Sequence, residues 1–155
     1  MARTLLDDLQ QTKPFGSLHE EALLNIVRTS ATMLDAMDEL LKSRGITNTQ
    51  YNVLRILRGA EPVGLCRNEL RDRLVNRMPD VTRLLDRMEE AGLVARTRDN
   101  EDRRMVTTRI TAAGRRLVDE LDEPVRQFQD ERVGHMTDAQ LQTLVDLLTL
   151  ARARS

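Results

Sequence analysis

Apolar positions recur at helical spacing along most of the chain. Residues 1–16 carry little pattern and end in Lys13-Pro14-Phe15-Gly16, which predicts a loose arm with one helical turn. Ser17 and Glu20 have the spacing of a capping box, and Leu18, Ala22, Leu23, Ile26, Val27, Met33, Leu34, Met37, Leu40 and Leu41 follow as one stripe that Gly45 stops. Thr47 and Gln50 repeat the box and open a helix through Tyr51, Leu54 and Leu57 to Gly59, ahead of Pro62. A short helix from Cys66 or Arg67 to about Leu74 comes next, then a turn at Val75-Asn76 and a helix from about Met78 to Ala91. Pro79 suits the first turn of that helix, where an amide has no intrahelical partner. Val81, Leu84, Leu85 and Met88 fall on one of its sides and leave Asp80, Thr82, Arg83, Asp86 and Arg87 outside.

After Gly92 the period changes. Leu93 to Arg98 and Met105 to Ile110 alternate apolar and polar residues around the polar run Asp99-Asn100-Glu101-Asp102-Arg103-Arg104, the signal of a β-hairpin. Thr111 then caps a helix through Leu117, Val118, Leu121, Val125 and Phe128, which Pro124 is expected to bend or split. Thr137 and Gln140 form a third box and open a last helix with Leu141, Leu144, Val145, Leu147, Leu148 and Ala151. The expected fold is mainly α with a small β-hairpin: a winged helix-turn-helix lobe over residues 47–110, flanked by helices over 17–44 and 111–153, in one domain of 155 residues. The apolar stripes of the flanking helices exceed what one small lobe can cover. They are expected to bury one another across the two-fold axis of a homodimer, placing two lobes about one DNA turn, roughly 34 Å, apart on a pseudo-palindromic site.

A helix-turn-helix braces one helix against the DNA backbone and offers the N-terminal polar residues of the next to base edges. Arg83 is the best candidate for a base contact, because a guanidinium donates two hydrogen bonds to guanine O6 and N7. Thr82 has a phosphate or a thymine methyl within its chemistry. Asp80 accepts from a cytosine amino group or, the favoured alternative, pairs with Arg77 or Arg83. Arg77 at the turn, Arg87 on the outer face and Arg98 at the end of a strand are further candidates, Arg98 weighed against a solvated edge position. At the hairpin tip, Arg103 and Arg104 are positioned to reach phosphate or the minor groove, with Asp99 or Asp102 orienting a guanidinium. The bland alternative is that these charges solvate a turn and pair with each other.

Bulk charge alone does not point to DNA: 24 Lys and Arg stand against 25 Asp and Glu, a net charge of -1. The distribution leans the other way, since residues 66–110 hold eleven Arg and nine acidic residues and so carry the positive excess. Aromatic residues are confined to Phe15, Tyr51 and Phe128, which disfavours base-stacking platforms for single strands and selects duplex DNA. The near-neutral charge and Asp80 keep a rival open, a winged module that binds a protein and not DNA. A lone cysteine, Cys66, and the lack of a leader pattern predict a reduced, cytoplasmic protein without a membrane span. His19 and His135 with one cysteine make no recognised zinc spacing, and no cofactor is expected. Adjacent carboxylates such as Glu20-Glu21, Glu89-Glu90 and Asp119-Glu120 point to different sides of a helix, so an enzyme is not expected either.

Val81-Thr82-Arg83-Leu84-Leu85-Asp86-Arg87-Met88-Glu89, Gly92-Leu93-Val94, Asp102-Arg103-Arg104 and Ile110-Thr111-Ala112-Ala113-Gly114 together resemble the MarR family of bacterial transcriptional regulators, over about Ser17 to Arg152. The resemblance implies a homodimeric repressor with interlocking terminal helices, recognition-helix roles for Thr82 and Arg83, and wing roles for Asp102, Arg103 and Arg104. It also implies an effector pocket between the dimer helices and the lobe, with a small aromatic or phenolic molecule controlling release. Where relatives often place small hydroxyl residues at the start of the recognition helix, this chain has Arg77, Met78, Pro79 and Asp80, which puts base preference in question. Relatives that sense oxidants generally carry the sensing cysteine in the first long helix, so packing or capping is the expected role of Cys66.

Overall fold

The computed structural model describes residues 3–77, 80–98 and 105–153, which fall into two compact units, Met1–Asn48 and Thr49–Ser155. In the first unit, α1 (Leu5–Asp8) is the single turn expected of the arm, and Thr4 and Asp7 close a capping box around it. Helix α2 (Leu18–Lys42) starts at Ser17, whose hydroxyl accepts the Glu20 N–H. Only half of the expected box forms, because the Glu20 carboxylate turns to the Gly16 N–H at 2.7 Å. Leu41 is buried, whereas Leu18, Leu23, Ile26 and Val27 stay exposed.

The second unit opens with α3 (Asn48–Gly59), which buries Tyr51, Val53, Leu54 and Leu57 and is its central scaffold. A two-residue strand, β1 (Leu65–Cys66), leads into α4 (Arg67–Arg73), and α5 (Val81–Glu90) follows. The hairpin is β2 (Val94–Arg98) and β3 (Val106–Ile110), in the antiparallel register Val94 to Ile110 through Arg98 to Val106. Sequence periodicity misses β1, which pairs Leu65 with Thr108 and Cys66 with Thr107 to make a three-stranded sheet in the order β1-β3-β2. Gly64 makes that pairing feasible. Its φ is +82°, and a Cβ there would lie 2.6 Å from the Thr108 carbonyl oxygen, so only glycine lets β1 approach β3.

Helix α6 (Ala112–Val133) runs unbroken through Pro124, where a split was among the expectations. Buried Leu121 and Val125 bracket the proline, and their packing offsets the roughly 3 kcal/mol that an interior proline costs a helix. Arg58 on α3 ties the same helix down. Its Nη1 and Nη2 donate to Asp122 at 2.8 and 2.8 Å, and Nη1 also reaches Asp119 at 2.7 Å. Arg115 extends the network to Asp119 and Glu61. These bonds raise the Arg58 pKa and hold the Asp122 carboxyl below its ordinary value.

The start of α6 is joined to the base of the wing through one hydroxyl. Thr111 Oγ1 donates to the Gly92 carbonyl at 2.6 Å and accepts the Gly114 N–H at 3.1 Å. Gly114 must be small for this, since a Cβ would meet the Leu93 carbonyl oxygen at 2.2 Å. Helix α7 (Asp138–Arg152) is capped by a complete Thr137/Gln140 box and buries no residue, leaving Leu144, Val145, Leu147 and Leu150 exposed. No helix among the described residues is long and apolar enough to cross a membrane.

Candidate nucleic-acid interface

Helices α4 and α5 form the helix-turn-helix, and a side chain of α3 holds the turn between them. Asn52 on α3 accepts the Val75 N–H at 3.0 Å, which anchors the turn to the scaffold. Cys66 occupies the N-cap of α4, and its N–H donates to Glu69 at 2.8 Å. Bonds from the Cys66 backbone, and then from its thiol, hold the Glu69 carboxyl below its usual range. Cys66 thus stands at the cap position of α4 with its backbone amide taken up by Glu69; packing or capping is the expectation for it.

Helix α5 begins at Val81, three residues after the expected start, with Asp80 as its N-cap. Met78 and Pro79 lie outside the described residues. The Asp80 Oδ1 accepts the Arg83 N–H at 2.9 Å, and Oδ2 stands 3.9 Å from Arg83 Nε. Between its two expected roles the geometry supplies a partner for Asp80 within the protein, Arg83 and not Arg77. Val81, Leu84, Leu85 and Met88 are buried, so Thr82 and Arg83 are left on the outer face, with the Arg83 side chain 74% exposed. Arg67, at the first position of α4, donates to the Thr82 hydroxyl at 3.2 Å and couples the starts of the two helices.

The far end of α5 is bonded to the wing. Arg96 on β2 gives its backbone N–H to Glu89 Oε1 at 2.9 Å and its Nε and Nη2 to Glu89 Oε2 at 3.0 and 2.6 Å, while Nη2 also meets Asp86 at 2.7 Å. Arginine donors at the Glu89 carboxylate lower its pKa, and the same bonds raise that of Arg96. Between these two ties lies a cleft of about 330 Å³ lined by Cys66, Arg67, Thr82, Leu85, Arg96 and Thr108, among others.

Among the expected contact residues, Thr82, Arg83 and Arg87 share the exposed side of α5, Arg77 is exposed just before it, and Arg98 is exposed at the end of β2. Asp102, Arg103 and Arg104, with Asp99, lie outside the described residues. Sequence reading missed Arg67 and Arg96. Arg67 sits fifteen residues from Thr82 and Arg96 seven from Glu89, across a change from helix to strand, so no helical or strand period connects either pair.

The family model described as the MarR family matches residues 46–106, which span this helix-turn-helix and most of the wing. Across a longer stretch, the HTH-type transcriptional regulator PrsX of Escherichia coli is 30% identical over 125 residues, 80% of this chain and 75% of the relative. The chain belongs to the MarR family. Among solved structures, this MarR chain is similar to a MarR transcription factor from Planctomyces limnophilus, at 40% identity and TM-score 0.68 over 88% of this chain and 99% of that one. MepR of S. aureus in complex with DNA is 25% identical, with a TM-score of 0.75 over 81% and 92% of the two chains. CouR from Rhodococcus jostii RHA1 bound to p-coumaroyl-CoA is 25% identical, with a TM-score of 0.74 over 91% and 99%. MarR-type winged-helix architecture is common to all of them, and its members are transcriptional regulators.

Proposed function

We propose that the chain is a sequence-specific, duplex-DNA-binding transcriptional regulator, a homodimeric repressor of a pseudo-palindromic operator that a small-molecule effector releases. The observation that carries the DNA reading is the outer face of α5, where Thr82 and Arg83 are presented to solvent while Asp80 and Arg67 restrain their backbone and hydroxyl. Arg83 reads a guanine, and Thr82, its hydroxyl already accepting from Arg67, offers its methyl to a thymine. Arg77, Arg87 and Arg98 neutralise phosphate around this face, and Arg103 and Arg104 with Asp102 act from the wing tip. The MepR complex with DNA supports the docking mode.

Dimerisation is supported by the apolar residues that α2 and α7 each leave in solvent, Leu23 and Val27 on one, Leu147 and Leu150 on the other. A second copy of the chain covers them in this reading, and the two-fold axis makes the operator a pseudo-palindrome. CouR with p-coumaroyl-CoA supports control by an aromatic effector. Selection of bound duplexes from a random pool at stated salt tests the whole reading. A motif with two-fold symmetry is the expected result, an asymmetric motif removes the dimeric operator, and recovery of no motif removes sequence-specific binding. Low affinity for every DNA, with a partner protein recovered by pull-down, favours the protein-binding module.

A further inference from the structure

The exposed face of α5 is only as accurate as the rotation of the helix about its own axis. Buried Val81, Leu84, Leu85 and Met88 choose which side faces inward, but apolar contact is non-directional and leaves the roll loosely specified. With side-chain ends about 5–6 Å from a helix axis, a roll of about 20° carries a contact atom some 2 Å. That exceeds the roughly half-ångström spread of N–H···O distances within which a base contact survives. Directional bonds to a rigid neighbour remove the freedom, and α5 has such bonds from β2.

Asp86 and Glu89 stand one turn apart on α5, and a single guanidinium, that of Arg96, joins both. Glu89 also holds the Arg96 main-chain N–H, so helix and strand are tied through backbone and side chain together. Arg96 is 24% exposed, against 74% for Arg83, and its donors are taken up by Asp86 and Glu89. Opposite it in the sheet is Thr108, buried on the central strand, which gives the clamp a stiff base.

We infer that Arg96 is a positioning residue for operator recognition: clamped between Asp86 and Glu89, it fixes the roll of α5 and thereby the selectivity of Thr82 and Arg83, without itself touching DNA. The inference rests on the DNA-binding reading above. It separates Arg96 from exposed Arg77, Arg87 and Arg98, which in that reading act on phosphate directly.

The test compares wild type with Arg96→Gln, Glu89→Gln, Asp86→Asn and Arg96→Lys, on the selected duplex and a scrambled one of equal length, across a salt series. Arg96→Gln and Glu89→Gln should each lower the ratio of selected to scrambled affinity about tenfold, the scale of one mismatched base pair. These two variants shift net charge in opposite directions, so a common loss of selectivity is not an effect of bulk charge. Scrambled-duplex affinity and the salt slope should stay at wild-type values, and Arg96→Lys should recover most of the ratio. Asp86→Asn leaves the Glu89 bonds in place and should move the ratio the same way by less, which keeps the test available if Arg96→Gln does not fold. An unchanged ratio, an equal loss on both duplexes, or a salt slope shallower by about 0.9, the value of one phosphate contact, would each overturn the inference. Failure of the wild type to discriminate between duplexes would remove the DNA-binding reading itself, a result distinct from any of these.

Discussion

Asp80 caps α5 through the Arg83 N–H at 2.9 Å and stands 3.9 Å from the Arg83 guanidinium, so one carboxylate both starts the helix and restrains its foremost cation. Substitution separates the two duties. Asp80→Ala should cost about 1 kcal/mol of stability, the usual value of an N-cap, whereas Asp80→Asn keeps a capping oxygen and should cost less than about 0.5 kcal/mol. Because a carboxylate facing phosphate is repelled, Asp80→Asn should also bind duplex more tightly at low salt. Thermal unfolding and fluorescence anisotropy measure the pair, and equal destabilisation by both substitutions would count against the cap.

Arg83 and Arg104 should fail in different ways. Arg83→Ala should weaken operator binding by about 1–3 kcal/mol and relax preference at one base pair, while Arg104→Ala should weaken binding to every sequence and reduce the salt slope by about one. Titrations against operator and scrambled DNA at several salt concentrations distinguish them. Wild-type affinity in both variants would refute the assignment.

The Arg58 to Asp122 pair makes a prediction about acid. The carboxyl titrates below its ordinary 3.8 in the folded chain, so the stability it lends is complete above that value and is lost as pH falls through the lower folded one. Asp122→Asn should therefore destabilise at neutral pH and flatten the dependence of stability on pH in the acid range below its ordinary value of 3.8. With Asp122 about half exposed, a coupling to Arg58 of only about 1 kcal/mol is expected from a double-mutant cycle. Parallel acid-unfolding curves for wild type and Asp122→Asn would exclude the linkage.

Charging the exposed side of α7 tests the dimer. The double substitution Leu147→Asp and Leu150→Asp removes apolar surface that the lone chain leaves in solvent, so it should halve the mass seen by light scattering while the unfolding of the winged lobe persists. A wild type that is monomeric at micromolar concentration would end the proposal without the variant.

Gly64→Ala should destabilise by about 2 kcal/mol or more, because it places a Cβ against the Thr108 carbonyl at a positive φ. Gly45 also has a positive φ but no atom within 4 Å of the added Cβ, so Gly45→Ala is the milder control. Equal shifts in melting temperature would show that backbone strain, and not the approach of β1, decides the effect.

Local chemistry is what made much of this molecule legible. Ser17, Thr111 and Thr137 mark helix starts through bonds three residues long, and all three caps form where the spacing places them. The exposed placement of Thr82 and Arg83 follows from the period of four buried residues in α5. Strand β1 escaped because two residues hold no alternation and exist as a strand only through pairing with Thr107 and Thr108. The late start of α5 escaped because a proline at its presumed first turn outweighed the capping carboxylate that follows. Arg67 and Arg96 carry no signature of their roles, since each acts on a residue that the turn or the change of element brings near.

The hydroxyl of Thr111 has a mechanical meaning. It binds the carbonyl that ends the turn after α5 and the amide that begins α6, and Gly114 lets the two segments meet without a spacer. The place is a pivot of almost no slack. It sets the start of α6 against the C-terminal end of α5, about 10 Å of helix from Arg83. In the DNA-binding reading, two bonds of one threonine therefore join the helix that follows the wing to the helix that carries Arg83.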